Sequence, residues 1–286
     1  RILLHQLISL LNLFVSATAN PQSVMQFVGL ILLLCPLLAT SFAVASFTTK
    51  QQLSSSRLLS SVVDDKVEVK EYFDNEGFNR WNKIYSESGE VNKVQLDIRT
   101  GHQQTIDKVL GWIENEDNSK NTVCDAGCGV GSLALPMATK FKKVFASDIS
   151  DSMTGEAAAR AKSEGLKNLQ FKVSDMEKLG GTYDTVTCID VMIHYPTDKM
   201  YGIVQKLGDL SKDRLILSFA PKNFFYDTLK KIGELFPGPS KTTRAYLHPE
   251  QDVVKALKLA GFTIKRKEMT STNFYFSRLL EAVRED

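Results

Sequence analysis

The chain has 286 residues, 43% hydrophobic and 24% charged, with a formal charge of +2, which suits one sizeable globular α/β domain with appendages. The charge is uneven: the first 63 residues contain no Asp or Glu and three basic residues (Arg1, Lys50, Arg57), leaving 32 basic against 33 acidic residues in the rest. A body so close to neutral has no electrostatic footprint for nucleic acid, and Cys35, Cys124, Cys128 and Cys188 show neither metal-ligand spacing nor a disulfide framework.

The chain opens on Arg1, and Met25 is the expected start. Residues 27–39 form a short apolar run containing Gly29 and Pro36, followed at 43–46 by small residues suited to signal-peptide cleavage. Residues 47–63 are then rich in Ser and Thr, carry Lys50 and Arg57 and lack acids, as a plastid or mitochondrial transit segment requires. A signal segment followed by a transit segment resembles the bipartite presequence of algae with secondary plastids. Residues 1–63 are therefore expected to be a presequence, cleaved or disordered. The competing membrane anchor over 1–15 or 27–44 is disfavoured by Asn12, Asn20, Pro21 and Gln22.

Acidic residues begin at Asp64, the expected start of the mature protein, and 64–99 is read as a helical arm. Among the aromatics of this stretch, which include Tyr72, those at Phe73, Phe78, Trp81 and Tyr85 recur at helical spacing, giving one amphipathic helix or a pair. Such an arm either packs on the domain or forms a lid over a flat aromatic substrate. Tyr85 suits the lid, since a phenol joins an apolar body to a polar tip. Residues 100–114 read as a further helix with Ile106, Val109, Leu110 and Ile113 on one face, and 100–286 as the main domain.

At 122–124 a strand-like Thr-Val-Cys ends in Asp125 and enters a turn carrying Gly127, Gly129 and Gly131 before a helix. Strand, glycine loop and helix open a nucleotide-binding βαβ unit, because glycine lets the backbone approach a ligand closely. A dinucleotide loop would read G-x-G-x-x-G, with its acid about twenty residues later. Here that last position is Ser132, which disfavours a dehydrogenase. The D-x-G-x-G-x-G spacing is similar to motif I of the class I S-adenosylmethionine (SAM) methyltransferases.

A second strand over 143–149 contains Asp148, seventeen residues beyond Gly131, where a carboxylate can accept from both ribose hydroxyls of a nucleoside. The alternative role is an N-cap, for which Asp151 serves equally well. An alanine-rich helix over 156–163 leads to a third strand at 169–173, ending in Ser174-Asp175-Met176-Glu177. In methyltransferases an Asp at this place receives the adenine amino group while the neighbouring apolar side chain covers the ring. Acids at three successive strand ends suit one ligand at the carboxyl edge of an open α/β sheet. A fourth strand over 183–191 carries Asp190, a further cofactor candidate, and precedes Met192-Ile193-His194-Tyr195-Pro196. His194 falls over the cofactor's reactive end in this topology. A solitary histidine is as often structural.

A helix at 198–210 and an apolar, buried-type strand at 214–220 follow. The segment 221–247 exceeds a minimal methyltransferase. It holds Phe224, Phe225 and Tyr226, a helix over 227–235, the block F-P-G-P-S, and then Lys241 and Arg244. Aromatics with fixed bends and a basic patch suit a large, flat, anionic substrate, although aromatics are more often core. A helix over 249–259 and strands over 262–269 and 273–283 complete a closing antiparallel hairpin. The fold class is thus α/β: a Rossmann-like class I methyltransferase domain with a seven-stranded, mostly parallel sheet, an antiparallel last strand and an N-terminal helical lid.

From about 69 to 283 the chain resembles the magnesium-protoporphyrin IX O-methyltransferases of chlorophyll synthesis. The phrases that carry this are Y-F-D-N-E-G-F-N-R-W at 72–81, V-N-K-V-Q-L-D-I-R-T-G-H-Q-Q-T at 91–105, D-A-G-C-G-V-G-S-L at 125–133, Y-D-T-V-T-C-I-D-V-M-I-H-Y-P at 183–196, R-L-I-L-S-F-A-P-K at 214–222 and G-E-L-F-P-G-P-S-K-T-T-R-A-Y at 233–246. The resemblance implies methyl transfer from SAM to one propionate of magnesium-protoporphyrin IX, with no protein-bound metal. Asp125, Gly127, Gly129, Gly131, Asp148, Asp175, Met176 and Asp190 would hold SAM. His194 and Tyr85 would orient the reacting propionate, Phe78, Trp81, Phe225, Tyr226 and Arg244 would contact the porphyrin, and Arg244 with Lys241 would reach its second propionate or stand as solvated surface. It further implies plastid localisation, peripheral membrane association and a partnership with the porphyrin-binding subunit of magnesium chelatase. Two alternatives stay open: an O-methyltransferase of another plastid molecule such as a quinone, and a non-catalytic porphyrin or SAM carrier.

Overall fold

The apolar runs of the sequence assemble into one twisted sheet with helices on both faces. The computed structural model describes residues 65–84, 91–222 and 245–285. The presequence expected over 1–63, Tyr85, Phe225, Tyr226, Lys241, Arg244 and the helix expected over 227–235 lie outside the described residues. The arm is a pair of helices, α1 (Asp65–Asp74) and α2 (Glu76–Ile84). The main domain runs α3 (Lys93–Ile113), β1 (Thr122–Ala126), α4 (Ala134–Met137), β2 (Lys143–Asp148), α5 (Asp151–Ser163), β3 (Leu169–Val173), β4 (Tyr183–Cys188), α6 (Thr197–Leu210), β5 (Ser211–Phe219), α7 (Glu250–Leu259), β6 (Phe262–Ser271) and β7 (Phe276–Arg284).

The sheet has seven strands in the order β3-β2-β1-β4-β5-β7-β6. β1 to β5 pair in parallel, and β7 runs antiparallel between β5 and β6, as the sequence pattern led one to expect. The chain winds outward from β1 to β3 and then returns to β4. This reversal opens a crevice at the carboxyl ends of β1 and β4, where open α/β sheets bind ligands. On one face Ile203, Leu207, Val253 and Leu257 cover Val186, Leu215 and Phe219. On the other, Ile106, Val109, Trp112 and Ile113 of α3 cover Val123, Val144, Ile216 and Leu279.

Several element boundaries move for identifiable reasons. Helix α3 begins seven residues before the expected start because Asn92 and Gln95 form a reciprocal capping box. Strand β4 stops at Cys188, since Asp190 takes a left-handed φ of +59° that no strand accommodates. Strand β7 starts at Phe276 because the turn before it gives its N–H groups elsewhere: Asn273 and Phe274 donate to Asp97 of α3. The cap of α5 is neither Asp148 nor Asp151 but Ser150, whose Oγ accepts from Met153 N at 3.1 Å.

The hairpin is stapled by charge. Glu281 of β7 has 0% exposure and meets Arg214 of β5 and Arg266 of β6. Arg266 also lies over the Trp112 ring, 5.1 Å from its centre. Removing one member of a buried ionic cluster strands its partners at about 3–5 kcal/mol. Glu281→Ala is therefore expected to lower the thermal midpoint by roughly 10 °C, with Glu281→Gln milder. Thermal unfolding followed by circular dichroism measures this, and an unchanged midpoint in Glu281→Ala contradicts it.

Candidate functional site

The glycine loop owes its shape to both the chain and the cavity. Gly127, Gly129 and Gly131 have φ of +85°, +51° and +89°. A Cβ on Gly127 would lie 2.1 Å from Val191 Cγ2, and one on Gly131 would lie 2.2 Å from Leu135 Cδ1, so these two serve internal packing. A Cβ on Gly129 would meet nothing within 4 Å, and Gly129 lines the cavity. Close approach by a ligand is thus possible at Gly129. The N–H groups of Gly127 and Cys128 donate to Ser147 O at 2.7 and 2.9 Å, tying the loop to the end of β2. Gly129 N donates to Asp148 Oδ2 at 3.0 Å, while Asp148 Oδ1 accepts from Ser150 N at 3.0 Å.

The crevice is a cavity of about 450 Å³, within the range of small-molecule sites. Of the residues expected from sequence, Asp125, Gly127, Gly129, Asp148, Met176, Asp190, His194 and Trp81 line it. Gly131, Asp175 and Phe78 do not. Asp175 caps a short 3-10 helix, Met176–Lys178, by accepting from Glu177 N at 3.0 Å. Ala220 and Ala245, which bracket most of the expected substrate segment, are on the wall, and this edge is pinned by Tyr246 N donating to Ile193 O at 2.8 Å.

Three acids on the wall differ in how well they are compensated. Burial pushes Asp125 up to about 7, against a 2.7 Å hydrogen bond from Thr187 Oγ1 and with nearby Asp148 adding to the rise. Desolvation likewise raises Asp148, in spite of its backbone donors. Desolvation also works on Asp190, but His102, Tyr275 and Ser218 outweigh it and hold the carboxyl below its ordinary value. His102 Nδ1 lies 2.8 Å from Asp190 Oδ2, Tyr275 donates at 2.8 Å, and Ser218 and Ser277 donate at 3.0 and 3.2 Å. Asp190 is thus a satisfied knot joining α3, β5 and β7, whereas Asp125 and Asp148 call for a cation. A cationic ligand seated at the glycine loop fits this donor set.

His194 ends a second 3-10 helix, Met192–His194. Desolvation lowers its pKa to about 4 against the pull of Asp190, so the imidazole is neutral near pH 7. Its ring stands edge-on to Phe73 of α1, with centroids 5.2 Å apart. The arm therefore reaches the cavity. Ser150 Oγ and Ser152 Oγ donate to Phe73 O and Asp74 O at 3.2 and 3.1 Å, seating it on α5.

Sequence reasoning missed His102, Tyr275 and Arg80 on this wall. His102 carried a usable signal, being a polar residue on the same α3 stripe as Ile106, Val109 and Ile113. Tyr275 carried none, because its position depends on the Asp97-held turn.

Residues 188–284 match the family described as magnesium-protoporphyrin IX methyltransferase C-terminus, and 123–213 match a general methyltransferase domain. The chain is 54% identical over 222 residues to the chloroplastic magnesium protoporphyrin IX methyltransferase of Arabidopsis thaliana, covering 77% of this chain and 71% of that protein. It is 52% identical over 230 residues to the magnesium-protoporphyrin O-methyltransferase of Synechocystis, covering 79% of this chain and 100% of that one. The chain belongs to the magnesium-protoporphyrin O-methyltransferase family. The crystal structure of the Synechocystis enzyme with bound SAH superposes with a TM-score of 0.70 at 50% identity, covering 78% of this chain and 100% of that one. In this methyltransferase the seven-stranded sheet is thus the fold shared with that enzyme.

The loop glycines give a contrast in stability. Gly129→Ala is expected to cost only the left-handed penalty, about 1–2 kcal/mol. Gly127→Ala adds a steric clash with Val191 and is expected to cost roughly 4 kcal/mol or more. Denaturant unfolding of both variants decides this; equal losses would refute the division of labour between the two glycines.

Proposed function

We propose that the chain transfers the methyl group of SAM to a propionate carboxylate of magnesium-protoporphyrin IX, giving the monomethyl ester and S-adenosylhomocysteine. The observation that carries this reading is identity above half to magnesium-protoporphyrin methyltransferases, extending over the whole Synechocystis enzyme. Bound SAM supplies an electrophilic methyl on a positively charged sulfur. Asp125 and Asp148 offer the buried negative charge that a cationic co-substrate needs, and Gly129 leaves its approach open. Met176, on the wall beyond β3, covers an apolar ring face.

The nucleophile needs no strong base, since a propionate ionises near pH 4 like other carboxylates, to about one unit. Its oxygen forms a bond to the methyl carbon as the carbon–sulfur bond breaks, and no proton moves. The protein's task is to desolvate and orient, and near-attack geometry contributes roughly 7–11 kcal/mol. Neutral His194 orients the propionate by a hydrogen bond, with Tyr85 opposing it just beyond α2. The arm acts as a lid: Phe73 and Trp81 exclude water from the cavity they line. Phe225, Tyr226 and Arg244, with Lys241, are substrate contacts proposed on sequence grounds.

A plastid location is supported by the acid-free presequence and by the chloroplastic designation of the Arabidopsis relative. Delivery to a secondary plastid, peripheral membrane association and partnership with the porphyrin-binding subunit of magnesium chelatase belong to the same proposal. Among the described residues no helix is long and apolar enough to cross a membrane.

The chain from Asp64 onward, given SAM and magnesium-protoporphyrin IX, is expected to yield the monomethyl ester by chromatography. Absence of ester with SAM bound would favour a carrier, and methylation of quinones alone would favour the other O-methyltransferase reading. His194→Ala is expected to lower kcat by about 10- to 1,000-fold with little change in SAM affinity. SAM binding should also respond to pH. With Asp125 at about 7 in the free protein, its ionised fraction falls as pH drops. The dissociation constant for SAM is therefore expected to rise about tenfold between pH 8 and 6 and to be flat above pH 8. Calorimetric titration measures it, and Asp125→Asn should reduce the slope, leaving the part due to Asp148.

A further inference from the structure

Arg80 of α2 lines the cavity with its guanidinium carbon 5.9 Å from the centre of the neighbouring Trp81 ring, within cation–π range. Trp81 is itself held, its indole N–H donating to the Tyr72 hydroxyl at 3.1 Å and its ring 6.4 Å from that of Phe73. Among the described residues, Arg80 Nε is buried without a hydrogen-bond partner and Arg80 has no carboxylate partner. The Nε–H is therefore a donor left for a ligand in the cavity. Lys199, another cation on the wall, is already engaged. The cavity thus combines two desolvated acids at the glycine loop with a planar cation on the arm that has no carboxylate partner among the described residues. A guanidinium fork matches a carboxylate in a way that an ammonium does not.

We propose that Arg80 is the specificity-determining anchor for the substrate's non-reacting propionate, and that it limits the reaction to a single methyl transfer. This rests on the substrate class of the proposed function. A guanidinium on the reacting carboxylate would stabilise the anionic ground state more than the charge-neutralising transition state, and so would slow transfer. On the other propionate the same contact fixes the macrocycle without touching the nucleophile. The monoester cannot then turn around for a second transfer, because its uncharged ester would face Arg80 and leave the guanidinium unmet.

The test is a Soret-band titration with magnesium-protoporphyrin IX and with its dimethyl ester, which needs no turnover. The protein is expected to prefer the dicarboxylate by about 10- to 150-fold, the range of a hydrogen bond to a charged group. Arg80→Gln should lose that preference, and Arg80→Lys should keep part of it. SAM affinity and the thermal midpoint, unchanged in Arg80→Lys, exclude a folding defect. In turnover, KM for the porphyrin should rise by a similar factor without change in KM for SAM, and the ratio of diester to monoester should increase in Arg80→Gln. An undiminished preference in both variants overturns the proposal. If the unaltered protein forms no ester, the functional reading fails, while the titration still decides whether Arg80 recognises a carboxylate.

Discussion

The carboxylate of Asp148 holds the parts of the site in one relation. Its two oxygens accept from Gly129 N and Ser150 N, so the open apex of the glycine loop and the start of α5 share an anchor. Ser150 then caps α5 through Met153 N and donates its hydroxyl to Phe73 O of the arm. Phe73 stands edge-on to His194. A residue at the end of β2 is thus connected to loop, helix, arm and histidine by a short series of contacts. Charge-assisted bonds to backbone N–H groups are about twice as strong as neutral ones, which lets a desolvated carboxylate act as a structural tie while its remaining lone pairs face the cavity.

Asp190 organises the other wall on a different principle. It sits at φ +59° just past β4, a conformation that an L side chain adopts only when its surroundings compensate. Here the compensation comes from an imidazole and three hydroxyls on three elements. The consequence is positional, since Asp190 fixes the turn that delivers His194. Sequence alone grouped Asp190 with Asp125 and Asp148 as cofactor ligands. Their partners separate them: Asp190 lines the cavity with an imidazole and three hydroxyls bonded to it, whereas Asp125 and Asp148 have no cationic side chain bonded to them among the described residues.

Much of the fold was legible in the sequence because its signals are local. The strands at 122–126 and 143–148 announce themselves as short β-rich runs carrying an acid at or next to their last residue, that at 169–173 as an alternating L-Q-F-K-V, and the hairpin of β6 and β7 follows from two β-rich runs with a short connection. What stayed hidden depends on contacts between distant positions. Asp97 takes the N–H groups of the β6–β7 turn from a helix 175 or more positions away, which shortens β7 and sets Tyr275 against Asp190. Asp175 matched the motif, yet its carboxylate is used as a local cap off the cavity wall. The capping box of Asn92 and Gln95 was readable in principle, because N-x-x-Q before an apolar stripe is a start signal.

The charge state of the cavity suits a transfer in which opposite charges disappear. Desolvation pushes Asp125 up to about 7, near its point of ionisation, where a positive charge placed beside it favours the charged form. His194, lowered to about 4, stays neutral. A protonated imidazole beside the attacking carboxylate would favour the separated ions, and so raise the barrier that desolvation lowers. A neutral ring can direct an oxygen lone pair without that penalty. The same desolvation that raises the two carboxylates therefore keeps the histidine uncharged, and both effects arise from enclosing one cavity between the sheet edge and the arm.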